Sequence, residues 1–502
     1  MNNLKKKAVE FFKTDKFSSA VVTALVIALV MVFNALLFTV AELFGLVFSY
    51  TPEVDYSLTG ASDELFADAI SENKKVTIYF CMAENEVEVH STGREVYTTA
   101  KNFAEKYPDF IELDFINIIT RQDKDGNYID LSKYKTDSVP IYKTSVIFEC
   151  GDNHRVLTDT YTAAGFANFF TLDSSMYITS YNGEEIISAM ISWVTEDEHK
   201  KAYFTQRHGE MADLSFTNLL TAAGYELDLI DLRKNSVPDD ADLLIISNPT
   251  SDFEASKDGS VYTELDKIKS YMARGGNLYV ALDPYVKTLT AFEDFLAEFG
   301  ISFMTTETAE GKKIRNMVKD PNNAITSDGF TLVCEYADGE LASKIADKAS
   351  AHSDGRVIVR EVSALELSGA AKPILNSSSS AVLEAEGRTV SDSGSYTVAA
   401  YSEVANETGG ASRIFVVPSI YLAVSDSLVS DSYSNKDFVY SVLEGLFGAG
   451  NLPYGCKPIM YSSSILQNLT MGTARLYTAL AMLVPAAIAI VGTVVLVRRK
   501  NR

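Results

Sequence analysis

The residues of this 502-residue chain with the most distinctive chemistry are five histidines and four cysteines. His208 is followed by Gly209 and Glu210, and a His beside an acid can do acid–base work or bind a metal. A metal site needs three or four ligands, and His90, His154, His199 and His352 show no ligand spacing. The structural alternative has Glu210 complementing the N-terminus of the next helix while His208 fixes the turn. The sequence favours that alternative. His208, Gly209 and Glu210 are therefore a candidate functional turn, with no catalytic, cofactor-binding or metal-ligating residue assigned. Cys81-Met82-Ala83-Glu84 offers one thiol where disulfide exchange needs two. Cys150, Cys334 and Cys456 are too scattered for a disulfide framework or a zinc cluster. Neither a Gly-x-x-x-x-Gly-Lys-Ser/Thr phosphate loop nor a Gly-x-Ser-x-Gly elbow is present. Asp239, Asp240, Asp283 and Glu293 are acids among 67, and nothing in their spacing pairs them for hydrolysis.

The turn needs a scaffold, and the flanking pattern supplies one. Lys201–Phe204 reads as a strand, residues 213–223 as an amphipathic helix ending at Gly224, and Glu226–Leu232 as a strand. Ala241–Ile246 is a continuous apolar strand stopped by Asn248-Pro249. A helix over 261–273, a strand over Asn277–Leu282 and a helix through Phe299 follow. Strands alternating with helices of 10–15 residues indicate a doubly wound parallel α/β sheet. The amidotransferase-like range discussed below is 183–303, opening with a helix over 183–194. Upstream, 74–182 holds a strand at 75–80, a helix at 93–107, a strand at 110–116 and a hairpin at 144–157 after Val139-Pro140. That order resembles a thioredoxin-like layout. Residues 304–409 are rich in Ser, Gly, Asp and Glu, with short strands at 331–334, 356–360 and 396–401. They read as an excursion from the sheet. A returning strand and closing helix are expected over 410–450, and a linker over 451–475.

The mean hydropathy of +0.03 and the net charge of −23 are reconciled if apolar segments flank an acidic body. Two such segments exist. Phe17–Ala41 is an uncharged run that continues past Glu42, and Leu476–Val497 is a second, interrupted only by Pro485. As helices of 1.5 Å rise, either is about 30 Å long or more, enough to cross a bilayer. The expected order is a cytoplasmic tail (1–16), span one (17–48), a juxtamembrane linker (49–73), the body, span two (476–497) and a second tail (498–502). Residues 1–16 carry +3 and 498–502 carry +4, so 49–475 carry −29. The positive-inside rule places both termini in the cytoplasm and the acidic body outside. The acidic balance excludes a nucleic-acid binder, which needs a basic face. The fold class is thus an α/β ectodomain, a thioredoxin-like unit plus a doubly wound parallel sheet, between two transmembrane helices.

His208-Gly209-Glu210 after a strand, Gly224-Tyr225, Val237-Pro238-Asp239-Asp240-Ala241-Asp242 and Asn248-Pro249 occur in that order. Gly275-Gly276-Asn277-Leu278, Leu282-Asp283-Pro284 and Asn435-Lys436-Asp437-Phe438 follow them. With the first unit and both apolar ends, the chain resembles the gliding-motility (GldG-type) auxiliary subunits of ABC transporters. It differs in having Gln206-Arg207 before His208, where that family has Thr/Ser-Gly, and in Pro418-Ser419. The resemblance implies a non-catalytic accessory membrane protein, without cofactor, whose partners are an ABC permease and a separate ATPase. It also implies that the second unit is similar to class I glutamine amidotransferases, which use a Cys nucleophile. No Cys follows Leu243–Ile246, so that activity is not implied. The competing readings are a membrane-anchored hydrolase using His208 and a solute-binding receptor with its ligand between the two α/β units.

Overall fold

The computed structural model describes residues 54–134, 140–158, 165–172, 177–256, 262–352, 354–406, 410–430 and 432–461. Both apolar runs (17–48 and 476–497) and the two charged tails lie outside the described residues, as do parts of the two linkers. Among the described residues no helix is long and apolar enough to cross a membrane. Residues from Tyr56 onward form one unit by their contacts.

Helices α1 (Ala61–Leu65) and α2 (Ala67–Ser71) flank Phe66, which is fully buried against Phe103, Tyr107 and Phe110. Part of the expected linker 49–73 is therefore packed into the body, because an aromatic side chain at its centre finds a core to enter. Strand β1 (Val76–Phe80) alternates buried Val76, Ile78 and Phe80 with half-buried Thr77 and Tyr79. A short helix, α3 (Glu84–Val87), precedes α4 (Gly93–Lys106), which buries Val96, Ala100 and Phe103 and crosses over to β2 (Ile111–Phe115). The crossover makes β1 and β2 parallel, whereas β3 (Val146–Cys150) runs antiparallel to β1 and pairs with β4 (Asn153–Leu157) in a hairpin. The sheet order is β2-β1-β3-β4. After the small strands β5 (Phe170–Leu172) and β6 (Ile178–Tyr181), α5 (Gly183–Thr195) is buried along its whole length.

Helix α5 packs on β1, β3 and β4 as well as on α6 (Leu214–Ala222) of the following sheet. A boundary at 183 therefore cuts through a shared core, and one apolar cluster runs from Ile78 and Phe80 through Met190 and Ile191 to Phe204 and Leu220. A helix buried on every face, its Glu184, Glu185, Ser188, Ser192 and Thr195 included, must be covered on both sides.

The larger sheet contains β7 (Lys200–Thr205), β8 (Tyr225–Ile230), β9 (Leu243–Ser247) and β10 (Asn277–Ala281), all parallel. On strand β9 every residue is buried, as expected when helices cover both faces. Its side chains still alternate. Leu243 and Ile245 face the core shared with α6, while Leu244 and Ile246 face α7 (Glu264–Ala273) and α8 (Thr290–Glu298). Each such buried aliphatic side chain is worth about 1.5–3 kcal/mol.

The expected excursion 304–409 leaves the sheet only in part. Short strands β11 (Ile301–Phe303), β12 (Thr305–Glu307), β13 (Lys313–Arg315) and β14 (Met317–Lys319) lead to β15 (Thr331–Tyr336) and α9 (Glu340–Ser350). Then come β16 (Val357–Arg360), β17 (Leu365–Leu367), β18 (Ala371–Asn376), β19 (Val382–Ala385), β20 (Arg388–Thr389), β21 (Thr397–Ala405) and β22 (Ala411–Val417). Strand β22 is parallel to β10, and β21, β18, β15 and β16 extend it antiparallel. The path is β16-β15-β18-β21-β22-β10-β9-β7-β8. Strands β12 and β13, and β14 with β19 and β20, form two small sheets of their own. The serine run 377–380 is interior: Ser377 and Ser378 are buried, and the Ser378 and Ser380 hydroxyls donate to the buried Asp320 carboxylate. The short helix α10 (Ser425–Leu428) and the long α11 (Asn435–Phe447) close the unit, and β23 (Ile459–Met460) pairs with β6.

Candidate functional site

The five parallel strands lie in the order β8-β7-β9-β10-β22, so the connections leave β7 in opposite directions on its two sides. Open α/β sheets place their sites at such a reversal, beyond the carboxyl ends of the strands. The His208 turn follows β7 at this point, and Asn248 follows β9 beside it. The backbone here is unusual. Arg207 (φ 90°), Gly209 (φ 81°) and Asn248 (φ 55°) all have positive φ, two of them without the freedom of glycine. At Gly209 a β-carbon would stand 2.1 Å from the Thr250 hydroxyl oxygen, which explains why this position is glycine.

The imidazole of His208 is 5 % exposed. Its Nδ1 lies 3.2 Å from Glu210 Oε1 and its Nε2 3.0 Å from Glu264 Oε2, so both ring nitrogens face carboxylates. Phe253 stacks on the ring at 4.1 Å between centroids. The His208 backbone N–H donates to Glu210 Oε2 at 2.6 Å. The His208 carbonyl accepts from the Thr250 and Ser251 N–H groups at 2.7 and 3.0 Å. The β9 loop is thereby tied to the β7 turn through one residue.

Burial opposes a charge on His208, but the hydrogen bond it donates to Glu210 and the negative charges of Glu264 and Glu210 outweigh it and raise its pKa above the ordinary 6.5. Burial likewise works against a charged Glu210, yet the His208 hydrogen bond and backbone N–H donors hold it below the usual carboxylate range. Both ring nitrogens are thereby engaged by carboxyl oxygens. Such a ring has no free nitrogen to accept a proton, so it is unfit as a general base. Glu264 is the first residue of α7, after the Thr263–Asp266 capping box, where a negative charge suits the helix dipole. It also accepts the Glu254 N–H at 2.9 Å.

The turn thus brings together two of the three residues singled out by sequence, His208 and Glu210, with Gly209 giving the bend. Glu210 does not serve the next helix. Asp213 caps α6, accepting the Ser215 N–H at 2.8 Å, and Glu210 folds back onto His208 instead. Glu264 was missed, although Thr263-Glu264-Leu265-Asp266 carries a capping-box pattern that sets the helix start three residues after 261. The other acids are dispersed. Glu293 pairs with buried Arg315 at 2.6 Å, Asp240 with Lys201 at 2.7 Å, and Asp283 accepts the Tyr285 N–H. Asp239 is fully exposed, 3.7 Å from Arg274. Among the described residues no group of His, Cys, Asp and Glu has the arrangement to hold a metal. Cys81, Cys150, Cys334 and Cys456 are all free thiols, and burial pushes Cys81 up to about 12, far from a reactive thiolate.

Two spaces among the described residues bear on where a ligand could sit. The gap between α5, α6 and α11 has a volume of about 30 Å³, room for about one water. Beyond the carboxyl ends of β9, β10 and β22, on the far side of Asn248 from His208, lies a cavity of about 320 Å³.

No protein-family model matches the chain. No curated protein matches it either. Among solved structures it is similar to the N-terminal domain of mmIFT52, at 14% identity and a TM-score of 0.37, covering 50% of this chain and 99% of that one. It is also similar to a putative ThuA-like protein from Bacteroides uniformis, at 12% identity and a TM-score of 0.31, covering 49% and 91%. Another putative ThuA-like protein, from Parabacteroides merdae, matches at 8% identity and a TM-score of 0.32, covering 53% and 98%.

Proposed function

We propose that the chain is a non-catalytic, membrane-anchored accessory subunit of an ABC-type transport system, with the acidic α/β body outside the membrane as its binding or scaffolding part. The observation that carries this reading is the meeting of the two ends of the body. Tyr56, near its start, hydrogen-bonds Glu95 and stacks edge-on against Tyr181 at 5.8 Å. Tyr461, at its end, donates to the same Glu95, and Ile459 pairs with Tyr181 in the β6–β23 ladder. A body tethered by a span at each end must return its chain to the membrane face it came from, and here both ends converge on one pair of residues. Thr59 adds a second tie, donating through its N–H and hydroxyl to Glu184 at 2.7 and 2.9 Å.

Three further points favour the reading. The order β2-β1-β3-β4, with one parallel and two antiparallel pairings, supports a thioredoxin-like first unit whose lone Cys81 cannot exchange disulfides. The parallel order β8-β7-β9-β10-β22 supports an amidotransferase-like second unit, and β9 runs into Ser247 and Asn248 rather than a Cys. His208, held by two carboxylates, argues against the hydrolase alternative. The partners remain those implied by the gliding-motility family resemblance: a permease and a separate ATPase. Purification of the full-length protein from its native membranes in mild detergent should recover both at near-stoichiometric yield. A solitary protein across several gentle detergents would overturn the proposal.

A further inference from the structure

A third cavity, of about 370 Å³, lies at the opposite edge of the sheet, where Arg413 of β22 stands beside Asn277, the first residue of β10. Its floor follows from strand register. Tyr401 and Glu403 of β21 are two residues apart and share a face, while Lys372 of β18 pairs with Tyr401 and Arg413 pairs with Glu403. All four line the cavity, and the first turn of α9 completes the wall. Helix α9 is 11 residues long and begins at Gly339, which has no side chain to cap it. The N–H groups of Glu340, Leu341 and Ala342 therefore have no partner among the described residues. Most wall charges cancel in pairs. Glu403 lies 3.1 Å from Arg413 and Glu340 2.7 Å from Lys344, which leaves Lys372 and Asp338 without an ion-pair partner among the described residues. Tyr401 is only 8 % exposed, and its hydroxyl has no hydrogen-bond partner among the described residues. Unlike the hydroxyls of Tyr279 and Tyr336, that oxygen is not sealed from solvent. Burial and the negative charges of Glu403 and Glu340, both wall residues, raise its pKa, so it stays a proton donor.

We infer that this cavity binds a small organic monocarboxylate, its oxygens accepting from the Lys372 ammonium, the Tyr401 hydroxyl and the uncapped N–H groups of α9. These are all donors, and a carboxylate is an acceptor only, with two oxygens to share among them. The dipole of α9 favours a negative charge at the same place. Asp338 sets the choice of a single charge, because its unpaired carboxylate repels a dianion such as phosphate about twice as strongly as a monoanion. Leu341 and Pro373 offer carbon surface to the organic part. A volume of about 370 Å³ is at the low end for ligand pockets, which suits a small molecule.

Calorimetric titration of the full-length protein in mild detergent, at fixed ionic strength, with butyrate, butyramide and inorganic phosphate tests it. Saturable binding of butyrate is expected, about tenfold tighter than butyramide and tighter than phosphate. Lys372→Gln should weaken butyrate binding about tenfold and Tyr401→Phe several-fold, both with little change in melting temperature, since neither group has a partner to lose. Lys269→Gln removes a cation that pairs with Glu298 elsewhere on the surface, and it should leave butyrate binding unchanged. Absence of saturable butyrate binding, butyramide or phosphate binding as tight as butyrate, or equal losses in Lys269→Gln and Lys372→Gln would overturn the inference.

Discussion

Asn248 divides the carboxyl edge of the sheet into two regions built on opposite principles. On one side His208 is saturated: both ring nitrogens, its N–H and its carbonyl are hydrogen-bonded, and Phe253 covers the ring. On the other side the cavity keeps Asn248 and Tyr279 with oxygens that lack partners. A saturated polar cluster holds structure, because each group already has what it needs. An unsaturated one is costly. The conspicuous histidine is thus the brace.

The contrast gives opposite expectations for substitutions on the two sides. His208→Ala should destabilise most, by about 3 kcal/mol, because it leaves Glu210 and Glu264 buried without the cation between them. Chemical denaturation should show it. Gly209→Ala should cost about 1–3 kcal/mol, from the positive φ and the clash with the Thr250 hydroxyl that bonds the His208 carbonyl. Its signature should be a lower melting temperature together with greater proteolytic access to the 248–256 loop. Tyr279→Phe should leave stability unchanged or raise it by about 1 kcal/mol, since the lost hydroxyl had no partner. A drop in its melting temperature as large as that of His208→Ala would erase the distinction between the two sides.

The parallel core was legible from sequence because its physics is local. Leu243–Ile246 is apolar throughout, Asn248-Pro249 and Gly275-Gly276 punctuate it, and helix Asn435–Phe447 falls where its pattern predicts. What sequence could not show was closure across distance. Most strands of 304–409 are short, and the main sheet gains them only through β21, which pairs with β22 and β18. Ser377–Ser380 read as part of a polar excursion because nothing local reveals Asp320 as the acceptor of Ser378 and Ser380. In the site, His208 and Glu210 were visible as neighbours in the chain, whereas Glu264 lies 56 residues away and only the fold brings it to Nε2. The cavity was not legible at all, since its wall draws on four separate strand ends.

The protonation state of His208 tests the central claim most directly. With only five histidines in the chain, its ring resonance can be assigned by loss in His208→Gln and followed by NMR against pH. A raised folded-state pKa stabilises the fold fully below the unfolded value, and that contribution fades as pH rises through the folded one. The depressed pKa of Glu210 sets the acid limit, its contribution being lost as pH falls below the ordinary carboxylate range. The brace should therefore be strongest from mildly acidic to neutral pH, and the stability gap between wild type and His208→Gln should narrow at alkaline pH. A titration midpoint above 6.5 is the result expected. A ring that titrates at or below 6.5, with a stability gap indifferent to pH, would contradict the brace and return His208 to the list of candidate general bases.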